Sequence, residues 1–400
     1  MFALQVQAVG LNVLIIKDTL SAKTGATKLA FDIAKSFISS GDRVKIVFFH
    51  DDGTSHLIDL QSMKTLEVDI EEDNIWFLVS QLFQVPVFKL FLKGAFYIKD
   101  AVNIFGQLKF AKKINRSNID FDLIICMSIW TGIVPILMKH EYRKRLILYF
   151  HEPPTFSGLP FAIRKILGLY LNKLIKISAV NVSITDKMRD DIRSSLGINT
   201  HVVKDYFTLK KLNLQKEKFV LLDTRWTFVR NPFFAIDIMK ILPEVKFTMC
   251  GTFGSSELRQ NFIDRINSEA LNERISIMED LAEEALDELY SRAMCFIRWS
   301  NPDIVETGPS YGLIQSISNG CVPVVSSELG SASDVLEHMG RDFVVSNTPQ
   351  GFASAIERLF RDRDFLNEAV QKAVKWRNGY TAKEYRESLL EKFNGNQPVA

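Results

Sequence analysis

Two arginines, Arg225 and Arg230, stand five residues apart in "DTRWTFVRNP", directly after the apolar run "FVLLD". Guanidinium groups are planar forks that bind phosphate oxygens two at a time. A pair of them on one strand-to-helix loop can neutralise a diphosphate. A second segment suits the same chemistry. In "VETGPSYGLIQSISNGCVPVVSS", Gly308 and Gly312 permit close backbone approach, a helix is expected to open near Pro309, and Ser310 adds a hydroxyl donor. Free N–H groups and the dipole at a helix start attract phosphate. Glu306, just outside that start, can accept hydrogen bonds from sugar hydroxyls, and Gln315 further along the helix can reach a ribose. Taken alone, the two features also read as a solvated surface pair and an ordinary βα turn.

The elements that must hold these groups can be read from the apolar runs. "LNVLIIK" (11–17) is a strand covered on both faces, followed by a helix on Leu29, Ile33 and Phe37 that stops at Gly41. "RVKIVFFH", "FDLIICM", "RLILYFH" and "AVNVSI" continue the series, most followed by a helical stretch. Such alternation implies parallel sheets built from βαβ units. The polar, lysine-rich stretch "KDYFTLKKLNLQKEK" (204–218) reads as a linker, and a second series follows it, from "FVLLD" through "VKFTMCG", "RISIMED", "CFIRWS" and "VPVVSS" to "DFVVS". The expected organisation is α/β: domains over 1–205 and 219–375, a linker over 206–218, and a C-terminal helical segment over 376–400 that packs back on the first domain. Two doubly wound sheets facing across a cleft bind ligands beyond the carboxyl ends of their strands.

The bulk numbers exclude some classes. A net charge of +2 over 400 residues argues against a general nucleic-acid binder. The charge is uneven, however, because residues 89–176 hold 15 Lys and Arg against 5 Asp and Glu. In "FAIRKILGLYLNKLIK", Ile163, Leu167, Tyr170 and Leu174 share one helical face while Lys165, Asn172 and Lys176 lie opposite. Such a stretch is either a core-packing helix with solvated lysines or a segment that lies on an anionic membrane. Cys126, Cys250, Cys295 and Cys321 form no CxxC pair and read as buried, reduced thiols. "MFALQVQAVG" lacks a basic leader region, and no apolar run is long enough to span a bilayer, so the expected location is cytoplasmic, with peripheral attachment to the membrane face as an option. No GxGxxG follows either first strand, which argues against a nicotinamide dehydrogenase.

Taken together, these segments resemble a GT-B glycosyltransferase of the large retaining family 4. "RWTFVR" is similar to the family's loop arginine followed five residues later by lysine, with Arg230 in the lysine's place. "PSYGLIQ" resembles the P-S-Y variant of the Glu loop found in some rhamnosyltransferases, and "NGCVPVVSSELGSASDVL" resembles the G-x-P-V-V strand and the loop after it. "KTGATKLAFDIAKSFISSGDRVKIV" and "VSITDKMRDDIRSSLGI" resemble parts of the family's first domain. The resemblance implies a GT-B fold of two Rossmann-like domains and transfer of a sugar from a nucleotide-diphosphate sugar to an acceptor hydroxyl. It implies Arg225, Arg230, Glu306 and His151 as catalytic residues, and Gly25, Ser310, Tyr311, Gly312, Leu313 and Gln315 as donor-binding residues. The amides from Ser310 to Leu313 would share the diphosphate's charge. No metal or cofactor is implied; the co-substrate would be a nucleotide sugar, with UDP the first choice. The acceptor would be a glycan or a lipid-linked glycan, in polysaccharide or glycolipid synthesis. This sequence departs from the family pattern where Gln315 replaces the second glutamate and Glu306 stands one residue too far away. A non-catalytic nucleotide-sugar-binding subunit and a GT-B nucleotide-sugar epimerase are the competing readings.

Overall fold

The computed structural model describes residues 10–20, 25–51, 66–70, 104–117, 119–150, 161–212, 215–301 and 310–396. The chain divides into two compact units. One comprises Met1–Ile184, Arg189–Lys204 and Ala382–Ala400, and the other comprises Thr185–Met188 and Asp205–Thr381.

The first unit carries β1 (Asn12–Leu20), α1 (Gly25–Ile38), β2 (Arg43–Asp51), β3 (Leu66–Ile70), α2 (Ile104–Arg116), β4 (Leu123–Cys126), α3 (Ile133–Leu137), α4 (His140–Arg143), β5 (Leu146–Phe150), α5 (Phe161–Ile177), β6 (Val180–Ser183), α6 (Asp186–Leu196) and β7 (His201–Val202). Its seven strands lie in the order β3-β2-β1-β4-β5-β6-β7, and every pairing is parallel. β4 and β5 are buried at every residue, as strands covered by helices on both faces must be. The order reverses between β1 and β4, so the loops after those two strands flank a topological switch point.

The second unit carries β8 (Glu217–Asp223), α7 (Phe233–Ile241), β9 (Lys246–Cys250), α8 (Ser256–Ser268), β10 (Ile275–Met278), α9 (Glu283–Arg292), β11 (Ala293–Arg298), α10 (Tyr311–Ser318), β12 (Val322–Ser326), α11 (Ala332–His338), β13 (Val344–Val345), α12 (Pro349–Arg361) and α13 (Arg363–Asn378). Its six parallel strands run β10-β9-β8-β11-β12-β13, with the switch point between β8 and β11. Cys250, Cys295 and Cys321 sit in its core and Cys126 in the first unit's sheet, all four as free thiols. Burial pushes the Cys126 thiol up to about 11 and Cys321 to about 12, against smaller lowering from neighbouring hydrogen bonds and lysines.

Two boundaries differ from the sequence reading. The supposed linker contributes Phe207 to the second unit's core, where its ring meets Trp376 edge-on at 5.3 Å. Arg377 fastens the same stretch by donating to the carbonyls of Lys210 and Ser318 at 2.9 and 2.8 Å. Carbonyls held by a buried arginine tie this stretch to the second unit. The other difference is α12, a helix that the apolar pattern after "DFVVS" does not announce. Its start carries a local signal all the same: the Thr348 hydroxyl accepts from the Gly351 amide at 3.1 Å, and Pro349 occupies the first turn.

The last helix, α14 (Ala382–Gly395), belongs to the first unit and packs on α1. Arg386 grips Asp42 with two bonds, Nε to Oδ2 at 2.6 Å and Nη2 to Oδ1 at 3.0 Å. The Asp42 side chain is 1% exposed and also accepts from the Leu11 amide at 2.8 Å. Removing one partner of such a pair strands a buried charge. Arg386→Ala is expected to cost about 3 kcal/mol of stability in a urea titration. The double variant Asp42→Asn with Arg386→Leu, which leaves no lone charge, should recover part of that loss.

Candidate nucleotide-binding site

At the switch point of the second unit lie the β8–α7 loop, which carries both arginines, and the start of α10, where Gly312 comes close to the Asp223 carbonyl and Phe296. The β8–α7 loop is braced from below. Trp226 is buried, its indole donates to the Cys250 carbonyl at 2.9 Å, and its amide donates to Thr252 at 2.9 Å. The Gly254 amide donates back to the Trp226 carbonyl at 2.6 Å. Gly251 makes this close pairing possible: its φ is +97°, and a Cβ there would overlap the Thr224 carbonyl oxygen. On the far side, the Trp299 indole donates to the Arg230 carbonyl at 3.0 Å, and the Asn301 amide group donates to the Val229 carbonyl at 3.0 Å. The Thr227 hydroxyl accepts from the Arg230 amide at 3.2 Å.

With Trp226 fixed inward, its neighbour Arg225 is exposed and makes no ion pair with a described residue, while Arg230 is half-buried. The loop therefore holds both guanidiniums on a backbone whose carbonyls and amides are already committed. Asn301, which ties the loop, is also the last described residue before the 302–309 stretch that leads to α10.

α10 begins at Tyr311 with Ser310 as its cap residue, and the Ser310 side chain makes no capping bond. The Ser310 carbonyl accepts from Leu313 at 2.9 Å and from Ile314 at 3.3 Å. The Leu313 amide is thus bonded inside the helix, and its side chain is buried in the core. Tyr311 and Gly312 are the helical residues ahead of the first intrahelical bond. The first turn carries no acidic residue to oppose an anion.

Gly312 has a different role from the one its type suggested. A Cβ there would stand 2.8 Å from the Phe296 ring, 3.0 Å from the Tyr290 hydroxyl and 3.1 Å from the Asp223 carbonyl oxygen. The missing side chain lets α10 press against β8 and β11; the close approach it permits is to the sheet. Tyr290 donates to Asp223 Oδ2 at 2.9 Å, and burial together with that carboxylate holds its phenol well above the ordinary range, so it stays a donor.

Gln315 is 6% exposed, with Nε2 donating to the Tyr311 hydroxyl at 3.1 Å. Its Oε1 has no partner among the described residues. A buried acceptor left without a partner costs about 1–3 kcal/mol. Gly25 is exposed at the start of α1, beside the first unit's switch point. Glu306 and His151 lie outside the described residues.

The sequence reading missed the braces Trp226, Trp299 and Asn301 and the pair Asp223–Tyr290. It also missed Arg298, which is 3% exposed at the carboxyl end of β11. Two residues on from Phe296, it lies on the same face of the strand, the face on which α10 starts. The signal was present as one charge inside the apolar run "CFIRWS". Among the described residues no cluster of three or more His, Cys, Asp or Glu could hold a metal ion.

Comparisons with known proteins follow from this geometry. Residues 207–376 match the family model "Glycosyl transferases group 1", a span that falls inside the second unit. No curated protein matches the chain. Among solved structures, the chain is similar to HepE of Anabaena in complex with UDP and glucose: 14% identity, TM-score 0.70, covering 96% of this chain and 100% of that one. It is also similar to a TarM variant of S. aureus in complex with fondaparinux, α-GlcNAc-glycerol and UDP: 13% identity, TM-score 0.69, covering 96% and 100%. A third is sucrose-phosphate synthase of Thermosynechococcus elongatus: 12% identity, TM-score 0.67, covering 96% and 98%. The fold is the one expected, GT-B, with two Rossmann-like α/β units.

The packing of α10 gives a direct test. Gly312→Ala should gain about 0.4–1 kcal/mol from a stiffer unfolded chain. Overpacking against Phe296, Tyr290 and a backbone carbonyl should cost about 1–3 kcal/mol. The expected outcome is a net loss of stability in urea unfolding.

Proposed function

We propose that this chain is a glycosyltransferase that moves a sugar from a nucleotide-diphosphate sugar to an acceptor hydroxyl. The reading is carried by the braced loop that bears Arg225 and Arg230 following β8, while the uncapped start of α10 packs beside the ends of β8 and β11, the strands that flank the switch point. The group 1 glycosyl transferase match over 207–376 covers this same region. HepE and the TarM variant, which share the fold, are described with UDP bound, and this favours UDP as the nucleotide.

In this reading Arg225 and Arg230 bind the diphosphate and stabilise its charge as the bond to the sugar breaks. Cations already fixed in place need no reorganisation when that charge develops. The amide end of α10 and the Ser310 hydroxyl add donors, and Gln315 Oε1 accepts a ribose hydroxyl. Tyr311 acts through Gln315 by holding its amide. Glu306 is assigned to the sugar hydroxyls, and His151 and Gly25 to the sugar or acceptor side, on the resemblance alone. The same resemblance supports a family 4 enzyme that retains anomeric configuration, transfers a hexosyl or deoxyhexosyl group, and works in polysaccharide or glycolipid synthesis. No residue is assigned as a nucleophile.

Calorimetric titration of UDP tests the site. Each charged hydrogen bond contributes about 1.5–3 kcal/mol, so Arg225→Ala with Arg230→Ala should weaken UDP about 100-fold or more. Unchanged affinity would refute the assignment. UDP binding without turnover across a panel of acceptors and sugars would instead favour the non-catalytic subunit.

A further inference from the structure

One helical layer of the first unit combines basic and apolar groups with almost no acid. α2, α3 and α5 lie side by side, with α3 touching both of the others. The layer is pinned. Asn115 of α2 donates to the Leu137 carbonyl at 2.8 Å and accepts from the Lys139 amide at 3.0 Å. Tyr170 of α5 donates to the Ile129 carbonyl at 2.6 Å. α2 contributes Lys109, Lys112, Lys113 and Arg116, α5 contributes Lys165, Lys173 and Lys176, and neither helix contains an acidic residue. Lys109, Lys112, Arg116, Lys165, Lys173 and Lys176 are exposed and make no ion pair with a described residue. Lys113 approaches Asp69 at 3.8 Å.

Among these cations stand large apolar side chains that the core does not use. Ile166 and Leu169 are 65% and 64% exposed, and Leu108 and Leu137 are also exposed. Ile166, Leu169, Lys173 and Lys176 follow at helical spacing along one stripe of α5. The buried stripe is instead Leu171 and Leu174, so α5 is both a packed helix and an amphipathic surface. A free anionic polymer would draw on the lysines but would gain little from exposed Ile and Leu. An anionic bilayer gains from both, by taking the apolar groups below its headgroups and the ammoniums at its surface.

We infer that the outer face of α2, α3 and α5 is a docking surface for an anionic lipid bilayer. This stands apart from the nucleotide site and is tested without turnover. The purified chain is floated with phosphatidylglycerol-rich vesicles at low salt, with phosphatidylcholine vesicles as the control. The expected result is flotation with the anionic vesicles alone, released by high salt. Two surface variants, Lys165→Glu with Lys173→Glu and Ile166→Asp with Leu169→Asp, should each lower the bound fraction at least about tenfold. Both should keep the parent's melting temperature and UDP affinity. Absent flotation, or flotation that either variant leaves intact, overturns the inference. So does heparin binding as tight as the vesicle binding and indifferent to Ile166 and Leu169, which would mark a site for soluble polyanions.

Discussion

The course of the β8–α7 loop depends on one buried indole. Trp226 lies between the two arginines in sequence, and its burial is secured by three backbone-directed hydrogen bonds to the end of β9. With that side chain committed to the core, the loop has one way to run, and Arg225 must face out. Trp299 closes the other end by holding the Arg230 carbonyl. Binding an anion to such a loop does not first require ordering it, which removes a large part of the usual entropic cost of binding.

α10 is placed by a contact of a different kind. Helix backbone meets strand backbone at Gly312, beside the Asp223 carbonyl, and a larger residue there would crowd that gap. The helix start is thereby fixed over the end of the sheet within the narrow tolerance of close packing. Around it collect groups that an ordinary core avoids: a buried guanidinium at Arg298 and a buried Gln315 acceptor without a partner among the described residues. Open α/β sheets place ligands at such switch points, and these groups lie where the proposed nucleotide site falls.

Much of this was legible in the sequence. "LNVLIIK", "FDLIICM" and "VPVVSS" announce buried parallel strands because helices cover both faces, and the βαβ alternation then fixes the fold class. Arg225 and Arg230 were legible because their spacing brackets a short loop. What was hidden depends on distance in space. Gly312 looks in the sequence like a residue that lets a ligand approach, and only its distance to Phe296, Tyr290 and the Asp223 carbonyl shows that it also lets the helix approach the sheet. Trp299 lies 69 residues from the carbonyl it holds, a pairing that no local pattern encodes. The stretch around Phe207 reads as a linker because it is lysine-rich, yet its one buried aromatic decides where it packs.

The most direct measurement is a crystal structure of the chain with UDP bound. The account predicts the pyrophosphate within hydrogen-bonding distance of the Arg225 and Arg230 guanidiniums and the first-turn amides of α10, with a ribose hydroxyl on Gln315 Oε1. Nucleotide found away from the carboxyl ends of β8 and β11, or a pyrophosphate touching neither arginine, would contradict it.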